Sequence, residues 1–380
     1  MKRRWSVALG AGLVVAGLTQ PVQAQEHRKA QPSHAQDRGR LREAVKRLTD
    51  GGAPGALAEV RDRNGRRTVV TSGTRDVRTG TPVHPRSRFR IGSLTKPFVA
   101  TVVLQLAGEG AIELDAPVER YLPGLIRGNG NDGRNITVRD LLQHTGGLPD
   151  IMDHLDPQDL IKDPMRHWEA GELVAIALRH PNTLPPDGAR RFAYSSTGYL
   201  IAGMIIKRVT GRGYGEEIEE RIIKPLKLKG TSVPGDSPVL PRPHPQGYAP
   251  VGGLLDITRL NPTVADAGGS MVSSASDLNR FLAALAHGRL LKSAQQRELK
   301  RTVPTGRSSG SKYGLGIEEV PLSPYCKGSS WGHSGDMLGF ATITGVKPDG
   351  TRATVMSTLN PGANDDAMSA ALKTALCGTD

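Results

Sequence analysis

The sequence predicts an α/β plus all-α chain: an antiparallel sheet built from both chain ends and flanked by helices, with an all-helical lobe inserted between them. Three observations carry that prediction. A strand-turn-strand pattern stands near the start, alternating β-branched segments stand near the end, and the middle holds helical periods broken by Pro and Gly. The implied boundaries are residues 38–97 and 267–380 for the sheet lobe and 98–266 for the helical lobe. Two lobes leave a cleft between them, a natural site for a small molecule.

Lys2, Arg3 and Arg4 precede an apolar run from Val7 to Leu18, and Val22-Gln23-Ala24 offers a small-residue cleavage site. Residues 1–24 therefore read as a signal peptide, which predicts a secreted, extracellular protein. Residues 25–50 carry seven Lys/Arg against four Asp/Glu, and the first of them, 25–37, are expected to form a flexible basic arm. Past the leader no apolar run is long enough for a membrane span. The formal charge of +13 mostly solvates the chain. Outside the cell it favours nearness to anionic wall polymers over nucleic acid. In an oxidising compartment Cys326 and Cys377 are most simply one disulfide. Neither Cys-x-x-Cys nor His-Glu-x-x-His occurs, so no metal or other cofactor is expected.

Leu41, Val45 and Leu48, behind Asp37, spell a short amphipathic helix. The period then shifts to two. Ala56 to Arg61 and Arg67 to Ser72 flank Asn64-Gly65, a hairpin signal, and extended Arg88 to Ile91 leads to Ser93. An apolar helix through Val99, Val103 and Leu106 follows, closed by Gly108 and Gly110. Further helical patterns cover Val138 to Gln143, Glu172 to His180, Gly198 to Val209 and Glu216 to Ile223. Beyond Gly268-Gly269 come a helix from Ser276 to His287, strands at Tyr313 to Val320, Ser329 to Trp331, Gly339 to Val346 and Thr351 to Thr358, and a last helix from Asn364 to Leu376.

Chemistry concentrates at Ser93-Leu94-Thr95-Lys96. Positions i and i+3 share a helix face, so the Lys96 amine stands beside the Ser93 hydroxyl, a nucleophile with a base in reach. At a helix start, Ser93 also meets unpaired N–H groups that favour an oxyanion. Ser309-Gly310-Ser311-Lys312 has the same spacing but no apolar helix after it. Tyr194-Ser195-Ser196 lies in a loop before an apolar helix, where the Tyr194 phenol and Ser196 hydroxyl can face a cleft. Near a lysine ammonium the phenol's pKa is expected to fall toward the range where phenolate acts as base. His333-Ser334-Gly335-Asp336 lies where a strand edge is expected, able to align a peptide-like substrate and offer an N–H to an oxyanion. His144-Thr145-Gly146, a rival, ends a helix and reads as a turn with a structural histidine. Gly328-Ser329-Ser330-Trp331-Gly332 fits a nucleophile elbow, but no helix pattern follows it.

Ser93-Leu94-Thr95-Lys96, Tyr194-Ser195-Ser196 and His333-Ser334-Gly335, in this order, resemble the three motifs of the penicillin-recognising serine enzymes. The framing residues Phe89-Arg90-Ile91-Gly92, Ile136-Thr137-Val138-Arg139-Asp140-Leu141-Leu142 with His144, Ala267-Gly268-Gly269 and Tyr313-Gly314-Leu315-Gly316 make the likeness more specific. It runs from Gly55 to Cys377 and points to the class C β-lactamase-like group, with its secreted Streptomyces D-alanyl-D-alanine carboxypeptidases. The resemblance implies a β-lactamase/transpeptidase-like fold and an acyl-enzyme mechanism. Ser93 attacks, Lys96 and Tyr194 move its proton, and the backbone N–H groups of Ser93 and Asp336 hold the oxyanion. Ser196, His333, Ser334 and Gly335 border the substrate, with His333 in place of a basic residue, and both cysteines match bridged positions.

The implied substrate is a small peptide, amide or ester, with β-lactams as acylating ligands and a monomer as the working form. D-alanyl-D-alanine carboxypeptidase is the leading expectation. Esterase, β-lactamase or D-aminopeptidase activity, or a non-catalytic penicillin-binding sensor, are the alternatives. Three departures bear on this. Ser196 replaces an Asn whose amide both donates and accepts. Glu318 replaces an arginine suited to hold a substrate carboxylate, and Asp336 replaces a hydroxyl residue. Two negative charges there are expected to repel free-acid substrates and favour neutral or cationic leaving groups.

Overall fold

The period-two stretches from the two chain ends pair with each other. In the computed structural model the described residues are 34–184, 189–360 and 365–378. The expected signal peptide, and the basic arm up to residue 33, lie outside them. The strands in chain order are β1 (Gly55–Arg61), β2 (Arg67–Asp76), β3 (Thr81–Pro82), β4 (Arg88–Arg90), β5 (Tyr248–Pro250), β6 (Leu254–Asp256), β7 (Val272–Ser274), β8 (Val303–Pro304), β9 (Lys312–Tyr313), β10 (Glu318–Pro321), β11 (Ser329–Met337), β12 (Phe340–Val346) and β13 (Arg352–Ser357). Nine of them form one antiparallel sheet in the order β3-β2-β1-β13-β12-β11-β10-β9-β8. The first hairpin is thus continued by the last strand, with Leu57 opposite Met356 and Ala58 opposite Val355.

Side chains alternate across that sheet, so each face needs its own cover. Helices α1 (His34–Asp50) and, later, the C-terminal helix cover one face, where Leu41, Val45 and Leu48 meet Ala58, Val355, Met368 and Leu372. The other face, with Leu57 and Met356, joins the main core, into which α2 (Thr95–Gly108) inserts Phe98, Val102 and Val103. The chain then adds α3 (Val138–Gln143), α4 (Pro157–Lys162), α5 (Ala170–Ala177), α6 (Thr197–Thr210), α7 (Tyr214–Ile218), α8 (Lys224–Leu226) and α9 (Asp266–Gly269). Before returning to the sheet it forms α10 (Ala275–Ala286) and α11 (Ser293–Leu299), and it ends in α12 (Asp365–Cys377).

Two expectations change. The stretch from 98 to 266 is not purely helical, because Tyr248–Pro250 and Leu254–Asp256 pair as a short hairpin around Gly252-Gly253. The expected short strand Ser329 to Trp331 runs on as β11 to Met337, since its glycines let it lie flat against other backbone. Cys326 and Cys377 are bonded, tying the turn before β11 to the end of α12. Among the described residues no helix is long and apolar enough to cross a membrane.

Candidate active site

Gly92 adopts φ +51°, a left-handed conformation that glycine takes without strain, and the chain turns there into a single 3-10 turn, Gly92–Leu94. Helix α2 follows directly, with Pro97 in its first turn where no N–H is needed. Every α2 residue from Thr95 to Leu104 is buried, so the Lys96 side chain cannot reach water and is 0% exposed. Its amine instead meets three oxygens: Ser93 Oγ at 3.0 Å, Ser196 Oγ at 3.3 Å and the Gly268 carbonyl at 2.8 Å.

That set is satisfied in both protonation states. An ammonium donates to all three; a neutral amine donates to the Gly268 carbonyl and Ser196 and turns its lone pair to the Ser93 O–H. Burial lowers the Lys96 pKa to about 7, with the Asp150 carboxylate opposing the shift. Asp150 Oδ1 accepts from the Ser196 N–H at 3.0 Å, so the same carboxylate fixes the loop that carries the second motif.

Tyr194 lies beside this amine, its ring centroid 4.9 Å from Nζ. The residue is half-buried, and burial pushes its phenol pKa well above the ordinary value. A hydrogen bond with Ser93 acts the other way. The direction is opposite to the lowered phenol expected from the sequence, because desolvation is the largest effect on it. Lys96 is the better proton acceptor and Tyr194 a proton donor.

Strand β11 forms the third wall. A Cβ on Gly335 would fall 2.0 Å from the Ile91 carbonyl, and one on Gly92 would fall 2.7 Å from the Asp336 nitrogen. The two backbones therefore touch, and only glycines allow it. β10 pairs with β11 no further than Gly332, and the N–H and C=O of His333 both engage Thr344 Oγ1 on β12. Alternation along the strand then turns the Asp336 N–H toward the open edge beside Ser93. By the same alternation the Ser334 and Asp336 side chains share a face with Ile343 and Ala341, the face that α12 covers. The Asp336 carboxylate thus lies on the opposite face from His333, the face it shares with Ser334 and with Glu318, which stands opposite Gly332.

His333 is also not a cation. It is buried, Nδ1 donates to the Ser334 carbonyl, and Nε2 accepts from the Tyr313 hydroxyl at 2.7 Å. Burial lowers its pKa to about 3, so it is a neutral ring with both nitrogens occupied. His144 closes α3 with φ +60° and is buried, its Nδ1 accepting from the Ser195 N–H at 3.1 Å and its ring 4.3 Å from that of Tyr194. It supports the second motif from below.

Glu318 is 8% exposed and paired with Arg307, Nη1 to Oε1 at 3.0 Å, so it presents no unneutralised charge. Arg307 and Asp150 are the site residues that sequence reasoning missed, while Tyr313 and the Gly268 carbonyl stood in framing motifs with no role assigned. They join the site through long-range contacts that leave no local pattern. A groove of about 760 Å³ runs along this edge, bordered by Arg307, Glu318, His333, Ser334, Asp336 and the N-terminal half of α12. The rival serines fall away: Lys312 of the second Ser-x-x-Lys is exposed, and Ser330 lies within β11 with no helix after it.

Residues 41–376 match the family described as Beta-lactamase. The D-stereospecific amidohydrolase of a Streptomyces species superposes with a TM-score of 0.83 at 36% identity, covering 92% of this chain and 100% of that one. The D-amino acid amidase of Ochrobactrum anthropi SV3, complexed with L-phenylalanine amide, gives 0.77 at 27%, covering 90% and 98%. Penicillin-binding protein 4 of Amycolatopsis lactamdurans is 31% identical over 160 residues, 42% of this chain and 39% of that protein. The chain spans 31% to 62% of the length of such named relatives.

Proposed function

The chain belongs to the beta-lactamase family, a family of serine hydrolases with a β-lactamase/transpeptidase-like fold, and on that premise we propose that it hydrolyses amides or esters of D-amino acids through an acyl-enzyme on Ser93. The observation that carries this reading is the buried Lys96 amine, held by Gly268 and Ser196 with its nitrogen 3.0 Å from the Ser93 hydroxyl oxygen. The Ser93 oxygen attacks the substrate carbonyl as its proton passes to Lys96. The N–H groups of Ser93 and Asp336 receive the oxyanion. Tyr194, a neutral phenol, relays a proton to the departing nitrogen or oxygen. Water then repeats the sequence and frees Ser93. The names of the amidohydrolase and the amidase support an amide leaving group, and so does a groove whose guanidinium is already paired.

D-alanyl-D-alanine carboxypeptidase activity is the second reading, favoured by Arg307 itself, a guanidinium able to hold a carboxylate once Glu318 yields. The N-terminal residues support secretion. A fluorophosphonate or penicillin probe, followed by peptide mapping, is expected to label Ser93. A panel of D-amino-acid amides, simple esters, D-Ala-D-Ala peptides and penicillins ranks the leaving groups. Label on Ser309 or Ser330, or turnover surviving Ser93→Ala, sinks the assignment.

A further inference from the structure

Arg307 stands on the loop between β8 and β9, and elements on two sides hold it. Glu318 accepts from Nη1 at 3.0 Å, and the guanidinium carbon lies 5.7 Å from the Phe192 ring centroid, a cation-π contact from the loop that also carries Tyr194. The pair is asymmetric: the Arg307 side chain is 50% exposed, the Glu318 side chain 11%. The Phe192 ring centroid lies in turn 6.5 Å from that of Tyr194, so one ring separates the guanidinium from the residue that bears the phenol. The other cation bordering the groove, Lys373, lies on α12 near the Tyr325 ring, 5.9 Å from its centroid.

A guanidinium bordering a groove reads carboxylates through paired hydrogen bonds. Here a carboxylate of the chain already occupies it. Drawing Arg307 away would leave Glu318 nearly buried and unpaired, a state that costs more than the exposed half of the pair gains. We propose that Arg307 and Glu318 form a specificity-determining pair in which Glu318 stands in for a substrate carboxylate, so that free acids must displace it while amides and esters need not. This rests on the serine-hydrolase reading above and replaces repulsion by self-occupation as the source of selectivity.

The test measures binding in the Ser93→Ala protein, where no turnover interferes, by titration calorimetry with a D-Ala-D-Ala-terminated peptide and its C-terminal amide. Adding Glu318→Gln, or Glu318→Ala should the first not fold, is expected to raise the acid-to-amide affinity ratio about tenfold, the scale of one charge-assisted hydrogen bond. Adding Arg307→Gln as well is expected to erase that gain. A ratio unmoved by either Glu318 variant overturns the proposal. So does a gain that survives Arg307→Gln, because plain repulsion by Glu318 then explains it. Binding of neither ligand to any variant also overturns it, and fluorophosphonate labelling of wild-type Ser93 then tells whether the hydrolase reading falls with it.

Discussion

Lys96 and Arg307 are two cations of one site, and their surroundings are opposites. The lysine is fully enclosed and bound to three oxygens set by a turn, a helix end and a backbone carbonyl, whereas the arginine is half exposed and held by one carboxylate and one ring. Enclosure makes the lysine a base near neutrality; exposure leaves the arginine a permanent charge that can change partners. Chemistry is therefore fixed in the dry interior and choice of substrate is left to the wet rim. The comparison predicts that interior changes alter rate for every substrate, and rim changes alter the ratio between substrates.

The largest effect is expected inside. Ser93→Ala should abolish turnover with the fold kept, and Lys96→Ala should cost at least about a thousandfold in kcat, since the two act as a unit. A Lys96→Ala enzyme within about tenfold of wild type on a chromogenic ester would break the comparison at its base. Next comes Gly335→Ala, whose Cβ would meet the Ile91 carbonyl at 2.0 Å and push the strand off the turn. A displacement of that kind should lower kcat about a hundredfold while the thermal transition stays cooperative; an unchanged kcat would show that the backbone contact does not position the oxyanion donors.

The pH profile follows from the Lys96 shift to about 7. The reactive form is the neutral amine, which exists above that pKa, so kcat/KM should rise as pH goes from acid through about 7 and then level. A profile falling across that range would make the ammonium the reactive form. Tyr194→Phe should cost less than loss of the lysine, about tenfold to a hundredfold, with a larger loss on amides than on activated esters because poor leaving groups need its proton. Equal losses on both would remove that role. At the rim, Phe192→Leu removes the ring contact to Arg307, along with those to His144, Tyr194 and Tyr313, and should shift the acid-to-amide preference about threefold, with a smaller change in ester kcat. A general drop in rate would place Phe192 with the interior instead.

Much of this was legible because much of it is local. Ser93 and Lys96 are one helical turn apart, the hairpin around Asn64-Gly65 is a two-residue signal, and α3, α6 and α10 end within a residue or two of their sequence expectations. The side-chain face of Asp336 was readable too: once β11 continues through His333, a period of two puts Ser334 and Asp336 opposite to His333 and Gly335. What escaped was set by burial and by distant chain. The sign of the Tyr194 shift depends on desolvation exceeding a nearby charge, and neutrality of His333 depends on Tyr313 and on enclosure, neither of which has a sequence period. Arg307 sits in a Gly/Ser-rich loop that reads as connection, and only the tertiary fold brings Glu318 and Phe192 to it.

The joining of β1 to β13 sets a timetable for making the protein. Gly55 bonds to Thr358, 303 residues further on, so the sheet cannot close until that strand has been made. At about 5–20 residues per second the first hairpin waits roughly fifteen seconds to a minute with one edge unpaired. Helices α2 to α9, whose contacts are nearer in sequence, can be assembled during that interval. A chain stopped just before Arg352 would hold the nucleophile, the lysine and the phenol, yet would lack the strand that joins the hairpin to β12 and, through it, to β11, where the oxyanion donor sits. Activity is thus gated by Arg352–Ser357, and a chain cut before that strand should keep all three motifs in a product that never becomes an enzyme.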